Sequence, residues 1–121
     1  MHIYSATELR DRFAKKKASA VEIVTYFLQR IHSCDPELKS FLTIYEERAL
    51  AKAKELDQKR EKKKPLGKLA GIPLIIKDNI HVHGEITTCG SKILKNYRAP
   101  FDATVIRLIE EEDGIILGKG L

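Results

Sequence analysis

The sequence predicts an α/β protein in which N-terminal helices lead into the start of a mixed sheet flanked by helices. Three observations point there. Two capping-box patterns open amphipathic stretches in the first half, at Ser5-Ala-Thr-Glu8 and Ser19-Ala-Val-Glu22. The second half opens on an almost wholly apolar run, Gly71-Ile-Pro-Leu-Ile-Ile76. It closes on a helix-like segment that passes directly into Ile115-Ile-Leu117, and strand, loops, helix, strand implies a partly parallel sheet.

Taken in order, Leu9 and Phe13 fall four apart and mark a short amphipathic helix that ends near Lys15-Lys-Lys17. After the second capping box, Val21, Val24, Leu28 and Ile31 form one apolar stripe, widened by Ile23 and Phe27, until Asp35-Pro36 is expected to break it. Phe41-Leu-Thr-Ile-Tyr45 is short, β-branched and aromatic, as a strand is. From Glu46 to about Arg60 an Ala/Glu/Lys-rich helix follows, with Ala49, Leu50, Ala53 and Leu56 on its buried side. The run 71–76 has the composition of a strand buried on both faces, and Pro73 requires that it begin at a sheet edge or carry a bulge. The last helix is expected to take Asp102 as N-cap and Gly114 as its stop, with Val105, Leu108 and Ile109 as its apolar stripe. The chain thus divides into a mainly helical part, 1–64, and the start of an α/β core, 65–121, within a single domain.

With 121 residues, 43% hydrophobic and 32% charged, the chain has the length and composition of one ordinary domain. No apolar stretch approaches the roughly 20 residues that cross a bilayer, and the N-terminus lacks a signal-peptide layout. Cys34 and Cys89 stand far apart, which suits a reduced cytoplasmic setting. The formal charge of +5 is concentrated in Lys15-Lys-Lys17 and Lys59-Arg-Glu-Lys-Lys-Lys64. Neither run is interleaved with aromatic residues, so helix ends account for them better than a nucleic-acid surface does.

Lys77-Asp78-Asn79 is where chemistry is expected. An apolar strand that stops on three polar residues places them where a buried element opens, and strand alternation sends Lys77 and Asp78 to opposite faces. A lysine tucked against apolar neighbours becomes available as a neutral base. The competing reading of spacing alone is a strand-end lysine that snorkels to water, and spacing alone favours it. His81-Val-His83 supplies two metal-type ligands without a third, Cys89 has no positioned base, and no phosphate-binding glycine loop is present. Glu110-Glu-Glu-Asp113 reads as the exposed end of a helix. No metal or cofactor is therefore assigned to this chain.

Several stretches, in order and spacing, resemble the opening of the amidase-signature enzymes. They are Gly67-Lys-Leu-Ala-Gly-Ile-Pro-Leu-Ile-Ile-Lys-Asp-Asn-Ile80, Thr87-Thr-Cys-Gly-Ser91, Pro100-Phe-Asp-Ala-Thr-Val105 and Ile115-Ile-Leu-Gly-Lys119. Thr87-Thr-Cys-Gly-Ser-Lys-Ile-Leu94 with Asn96-Tyr97 is similar to the subgroup formed by the A subunits of tRNA-dependent amidotransferases. The resemblance implies a partial amidase-signature fold and a Ser–cis-Ser–Lys triad. In that triad one serine attacks the amide carbon of glutamine, a second relays the proton, and a lysine is the final base, here matched by Lys77. It implies pocket-shaping roles for Thr88, Cys89, Gly90 and Ser91. Both serines and the oxyanion hole would follow in a Gly/Ser-rich segment beyond Leu121, where family members continue after Gly-Lys into a Thr-Asn-like stretch. The chain is thus expected to be an N-terminal fragment, inactive alone and prone to aggregation through open strand edges.

The subgroup further implies the B and C subunits as partners. It implies glutamine as amide donor and misacylated Glu-tRNA(Gln) reached through the complex, with ATP and magnesium used only by the partner protein. The alternatives are a piece of a stand-alone small-amide amidase, or a non-catalytic assembly or binding remnant.

Overall fold

A computed structural model describes residues 1–121. Helix α1 spans Ala6–Ala14 and opens on the complete capping box: the Glu8 N–H donates to Ser5 Oγ at 3.2 Å and the Ser5 N–H donates to Glu8 Oε2 at 2.6 Å. Leu9 and Phe13 bury its inner face as their spacing requires. Helix α2 (Ala20–Leu38) carries only half of the second box. Ser19 Oγ accepts from the Glu22 N–H at 2.9 Å, but the reciprocal bond from the Ser19 N–H to the Glu22 carboxylate is not made, and a residue remote in sequence serves the next two N–H groups. The Asp57 carboxylate accepts from the Ala20 and Val21 N–H groups at 2.7 and 3.2 Å, bringing a full negative charge to the positive end of the helix.

Asp35-Pro36 does not break α2, which continues to Leu38. A proline in the last turn forfeits a single backbone bond near an exposed end. Lys39, with φ 54°, then closes the helix by donating its N–H to the Asp35 carbonyl at 2.7 Å, while Asp35 Oδ1 accepts from the Ser40 and Phe41 N–H groups. The same aspartate therefore turns the chain into strand β1 (Phe41–Ile44). Helix α3 (Glu46–Glu61) buries Ala49, Ala53 and Leu56, with Leu50 packed partly against them.

Strand β2 (Pro73–Lys77), a short 3-10 turn (Lys92–Leu94), helix α4 (Thr104–Glu111) and strand β3 (Ile115–Gly120) complete the chain. The sheet order is β1-β3-β2, with β3 antiparallel to β1 and parallel to β2. The fold class is the mixed α/β arrangement read from the sequence.

The burial of the apolar run 71–76 is not as its composition suggests. Strand β2 is an edge strand in which only Ile76 is buried and Ile75 is 48% exposed. The strand buried on both faces is the central β3. An apolar run reports that a segment is wanted inside, not which neighbour covers each face. Pro73 meets the first of its two alternatives, as the first residue of an edge strand, and the pairing of that strand with β3 breaks register between Leu74 and Ile75. Leu74 pairs with Ile116 and Ile75 with Gly118, so Leu117 is the extra residue of a bulge in β3.

Helix α4 departs from expectation in phase and in both caps. Ala103 is its N-cap and makes no side-chain cap, because Asp102 Oδ1 accepts from the His83 N–H at 2.7 Å and pins the preceding loop instead. Ile106 is buried and Ile109 packs beside it, whereas Val105 and Leu108 are about half exposed. The left-handed residue past the helix is Asp113 (φ 65°) rather than Gly114. Gly114 is needed for space, since a Cβ there would lie 2.6 Å from Ile109 Cγ2.

Two apolar clusters result. One joins α1, α2 and α3 to one face of the sheet through Phe13, Ile23, Leu28, Leu56, Ile115 and Leu117. The other holds Tyr45, Ile76, Val82, Ile106 and Ile116 on the α4 side.

Candidate active site

Lys77 is the last residue of β2, at the carboxyl end of a strand parallel to β3, which is where open α/β sheets place their sites. Its side chain is exposed, and it makes no hydrogen bond or ion pair. The burial against apolar neighbours that would favour a neutral amine is not supplied by these residues. Its backbone, by contrast, is firmly held. The Ile80 N–H donates to the Lys77 carbonyl at 3.1 Å, and the Asp78 N–H donates to the Gly120 carbonyl at 2.9 Å.

The alternation expected at Lys77 and Asp78 is present, with Lys77 outward and Asp78 only 4% exposed. Asp78 gathers the segment read as pocket-shaping. Its Oδ2 accepts from the Thr88 N–H at 3.1 Å and from the Thr88 hydroxyl, and its carbonyl accepts from the Cys89 N–H at 3.3 Å. Cys89 (φ 52°) and Gly90 (φ 75°) then turn the chain back, and the Gly90 N–H donates to Thr88 Oγ1 at 3.1 Å. Ser91 Oγ accepts from the Ile93 N–H at 3.3 Å and caps the 3-10 turn. Thr88, Cys89 and Gly90 are thus tied to the residue beside Lys77, while Ser91 begins the next turn. Cys89 is an exposed free thiol with no histidine bonded to it.

The deeper half of the site centres on Lys119, which is wholly buried. Its ammonium donates to the Ile80 carbonyl at 2.6 Å and to Thr87 Oγ1 at 3.3 Å, and lies 3.5 Å from Asp78 Oδ1. In register Ile76 faces Lys119 and Lys77 faces Gly120, so the two lysines occupy opposite faces of the sheet. The bulge at Leu117 sets this, because without the extra residue Lys119 would share the face of Lys77. Beside the pair, burial first and then the Glu85 and Asp78 carboxylates push the Tyr45 phenol well above its ordinary value, so it is neutral. Sequence reasoning overlooked Lys119 as a site residue. The available signal was a lysine placed immediately after the apolar run Ile115-Ile-Leu117 and Gly118.

The two histidines lead elsewhere. The His81 ring stacks on Phe101 at 5.1 Å and meets Tyr97 edge-on, and His83 contributes its backbone to Asp102. No cluster of three His, Cys, Asp or Glu side chains forms, and no helix is long and apolar enough to cross a membrane.

A lysine at the mouth of a parallel strand pair, over a buried Asp–Lys–Thr network, is set in a chain whose residues 22–120 match the Amidase family model; the chain belongs to the amidase-signature family. Among its relatives is the A subunit of glutamyl-tRNA(Gln) amidotransferase from Chlamydia felis, 56% identical over 119 residues, 98% of this chain and 24% of that protein. Its counterpart from Protochlamydia amoebophila, which bears the same name, is 50% identical over the same shares. The chain therefore spans about a quarter of the length of the curated relatives it matches. Among solved structures, a bacterial aryl acylamidase of the family superposes with a TM-score of 0.92 at 28% identity, covering 97% of this chain and 25% of that one. The peptide amidase of Stenotrophomonas maltophilia gives 0.90 at 30% identity, covering 98% and 24%.

Proposed function

We propose that this chain is the N-terminal part of the glutaminase component of a tRNA-dependent amidotransferase, and that Lys77 is the base of its triad. The observation that carries the reading is the contrast at the end of β2. Asp78 and Lys119 are locked in mutual bonds, whereas the Lys77 amine stands exposed and unpaired beside them, on a rigidly held backbone. A base must be free to take a proton and must not wander.

In this reading one serine of a later segment attacks the glutamine amide carbon, a second passes the proton on, and Lys77 receives it. That later segment would also remove water from around the amine, the burial that residues 1–121 do not provide. Thr88, Cys89 and Gly90 would shape the near wall of the pocket. The ammonia released would pass to a partner B subunit that activates Glu-tRNA(Gln) with ATP and magnesium, with a small C subunit clamping the pair, all in the cytoplasm. The isolated chain would be inactive.

A stand-alone amidase is the second reading, favoured by the superposition on the aryl acylamidase and the peptide amidase. Identities of 28–30% there, against 50–56% to the amidotransferase proteins, make it the weaker one. The test is a graft in which residues 1–119 replace the matching segment of the Chlamydia felis relative, assayed for ammonia release from glutamine in the presence of the B and C subunits. Activity that disappears in Lys77→Ala is expected. Full activity in Lys77→Ala would refute the assignment.

A further inference from the structure

Lys119 invites explanation because a buried ammonium is a costly way to fill space. A buried ion pair can often be exchanged for apolar side chains without loss of stability, so stability alone is a weak reason for its presence. Its geometry is fully committed. An ammonium has three donors, and Lys119 meets three acceptors: the Ile80 carbonyl, Thr87 Oγ1 and Asp78 Oδ1. No donor is left over for a substrate.

The three acceptors belong to the two segments that frame Lys77. Asp78 and Ile80 form the turn into which Lys77 leads, and the Ile80 N–H bonds back to the Lys77 carbonyl. Thr87 opens the loop whose next residue, Thr88, bonds to the other oxygen of Asp78. Thr87 itself is fully buried and is tied by its N–H to the Tyr97 carbonyl at 2.9 Å. Lys119 stands on the far face of the sheet from Lys77, one residue before the glycine whose carbonyl accepts the Asp78 N–H. Removing the ammonium would leave the Asp78 carboxylate short of its cation and cut the link between the Ile80 carbonyl and Thr87, leaving the turn and the loop joined only through Thr88 and Cys89.

We propose that Lys119 is a positioning residue for Lys77: through Asp78 and the Ile80 carbonyl it fixes the direction in which Lys77 leaves β2 and the distance to the Thr87–Gly90 wall. The proposal rests on Lys77 being the triad base. It adds a residue that touches no reacting atom yet sets the geometry of the one that does.

The test uses the same graft, in three variants. Lys119→Met keeps an unbranched side chain, one atom shorter, and removes the charge. It is expected to lower kcat for glutamine about 100-fold, the scale of a misplacement near 1 Å, with KM little changed. Amide exchange in residues 78–91 should quicken while α2 and α3 keep their protection. The pair Lys119→Met with Asp78→Leu removes both charges, so no carboxylate is stranded. It is expected to recover the melting temperature but not kcat.

Wild-type kcat in Lys119→Met would overturn the proposal. So would a double variant that recovered turnover together with stability, since the role would then be structural only. Lys77→Ala separates the two claims. If it stays active, the assignment of the base is wrong. If it is inactive while Lys119→Met is unimpaired, only the positioning role fails.

Discussion

Lys59 Nζ donates to Asp113 Oδ2 at 2.8 Å, tying the last turn of α3 to the left-handed residue that follows α4. The same oxygen accepts the Gly67 N–H at 2.7 Å, and Lys52 lies 3.6 Å from Oδ1. Asp113 is therefore the junction where the helical first half is joined to the sheet-forming second half.

The electrostatics of that junction predict a pH dependence. Burial alone would raise the Asp113 carboxyl, but the Lys59 and Gly67 bonds and the nearby ammonium groups outweigh it and hold it below the ordinary carboxylate range. A depressed folded-state value means the contribution is present above the unfolded value, about 4, and is lost as pH falls through the lower folded value. Asp113→Asn should destabilise the chain at neutral pH by about 1.5–3 kcal/mol, the range for hydrogen bonds to charged groups. Urea denaturation at pH 7 and at pH 3 checks it: the gap between variant and parent should narrow in acid.

The N-terminus of α2 gives a second prediction. Asp57 serves two N–H groups there and Ser19 a third, so Asp57→Ala should cost about 1–2 kcal/mol and Ser19→Ala about 1 kcal/mol. Because both caps serve one helix end, the double variant should lose less than the sum. Thermal melts of the three variants measure this directly.

These junctions also mark the boundary of what the sequence displays. Features written within a few residues are legible: the Ser5–Glu8 box, the stripe of α2, the start of β2 at Pro73, and the placing of Lys77 and Asp78 on opposite faces. What escaped notice depends on residues distant in the chain. Asp57 reaches across from α3 to the Ala20 and Val21 N–H groups at the start of α2, and His83 draws Asp102 away from α4. The face of α4 was read one residue out of phase, since Val105, Ile106, Leu108 and Ile109 are all apolar and only the packing partner chooses among them. Lys119 was hidden for the same reason, because its direction depends on a one-residue bulge that arises only when β3 meets β2.

Gly118 predicts a third outcome, from space rather than charge. A Cβ at this position would stand 2.2 Å from the Thr43 carbonyl oxygen, and backbone on the neighbouring strand cannot swing aside as a side chain can. Gly118→Ala should push β1 off β3 at a cost of about 2–3 kcal/mol, the upper range for overpacking. Amide exchange should locate the damage at the Tyr45 N–H, which donates to the Leu117 carbonyl at 2.7 Å across that junction.

Lys77 should behave in the opposite way to all of these. Its side chain is exposed and unpaired, so Lys77→Ala and Lys77→Arg should leave stability within about 0.5 kcal/mol of the parent. In the graft, Lys77→Ala should nevertheless lower ammonia release from glutamine by about 100- to 10,000-fold, the range for loss of a general base. Lys77→Arg sharpens the test, because a guanidinium keeps the positive charge but does not give up its proton. If Lys77 serves as a base, arginine fails as badly as alanine. If it serves only as a cation that orients substrate, arginine retains much of the turnover, and the proton must be taken by another group.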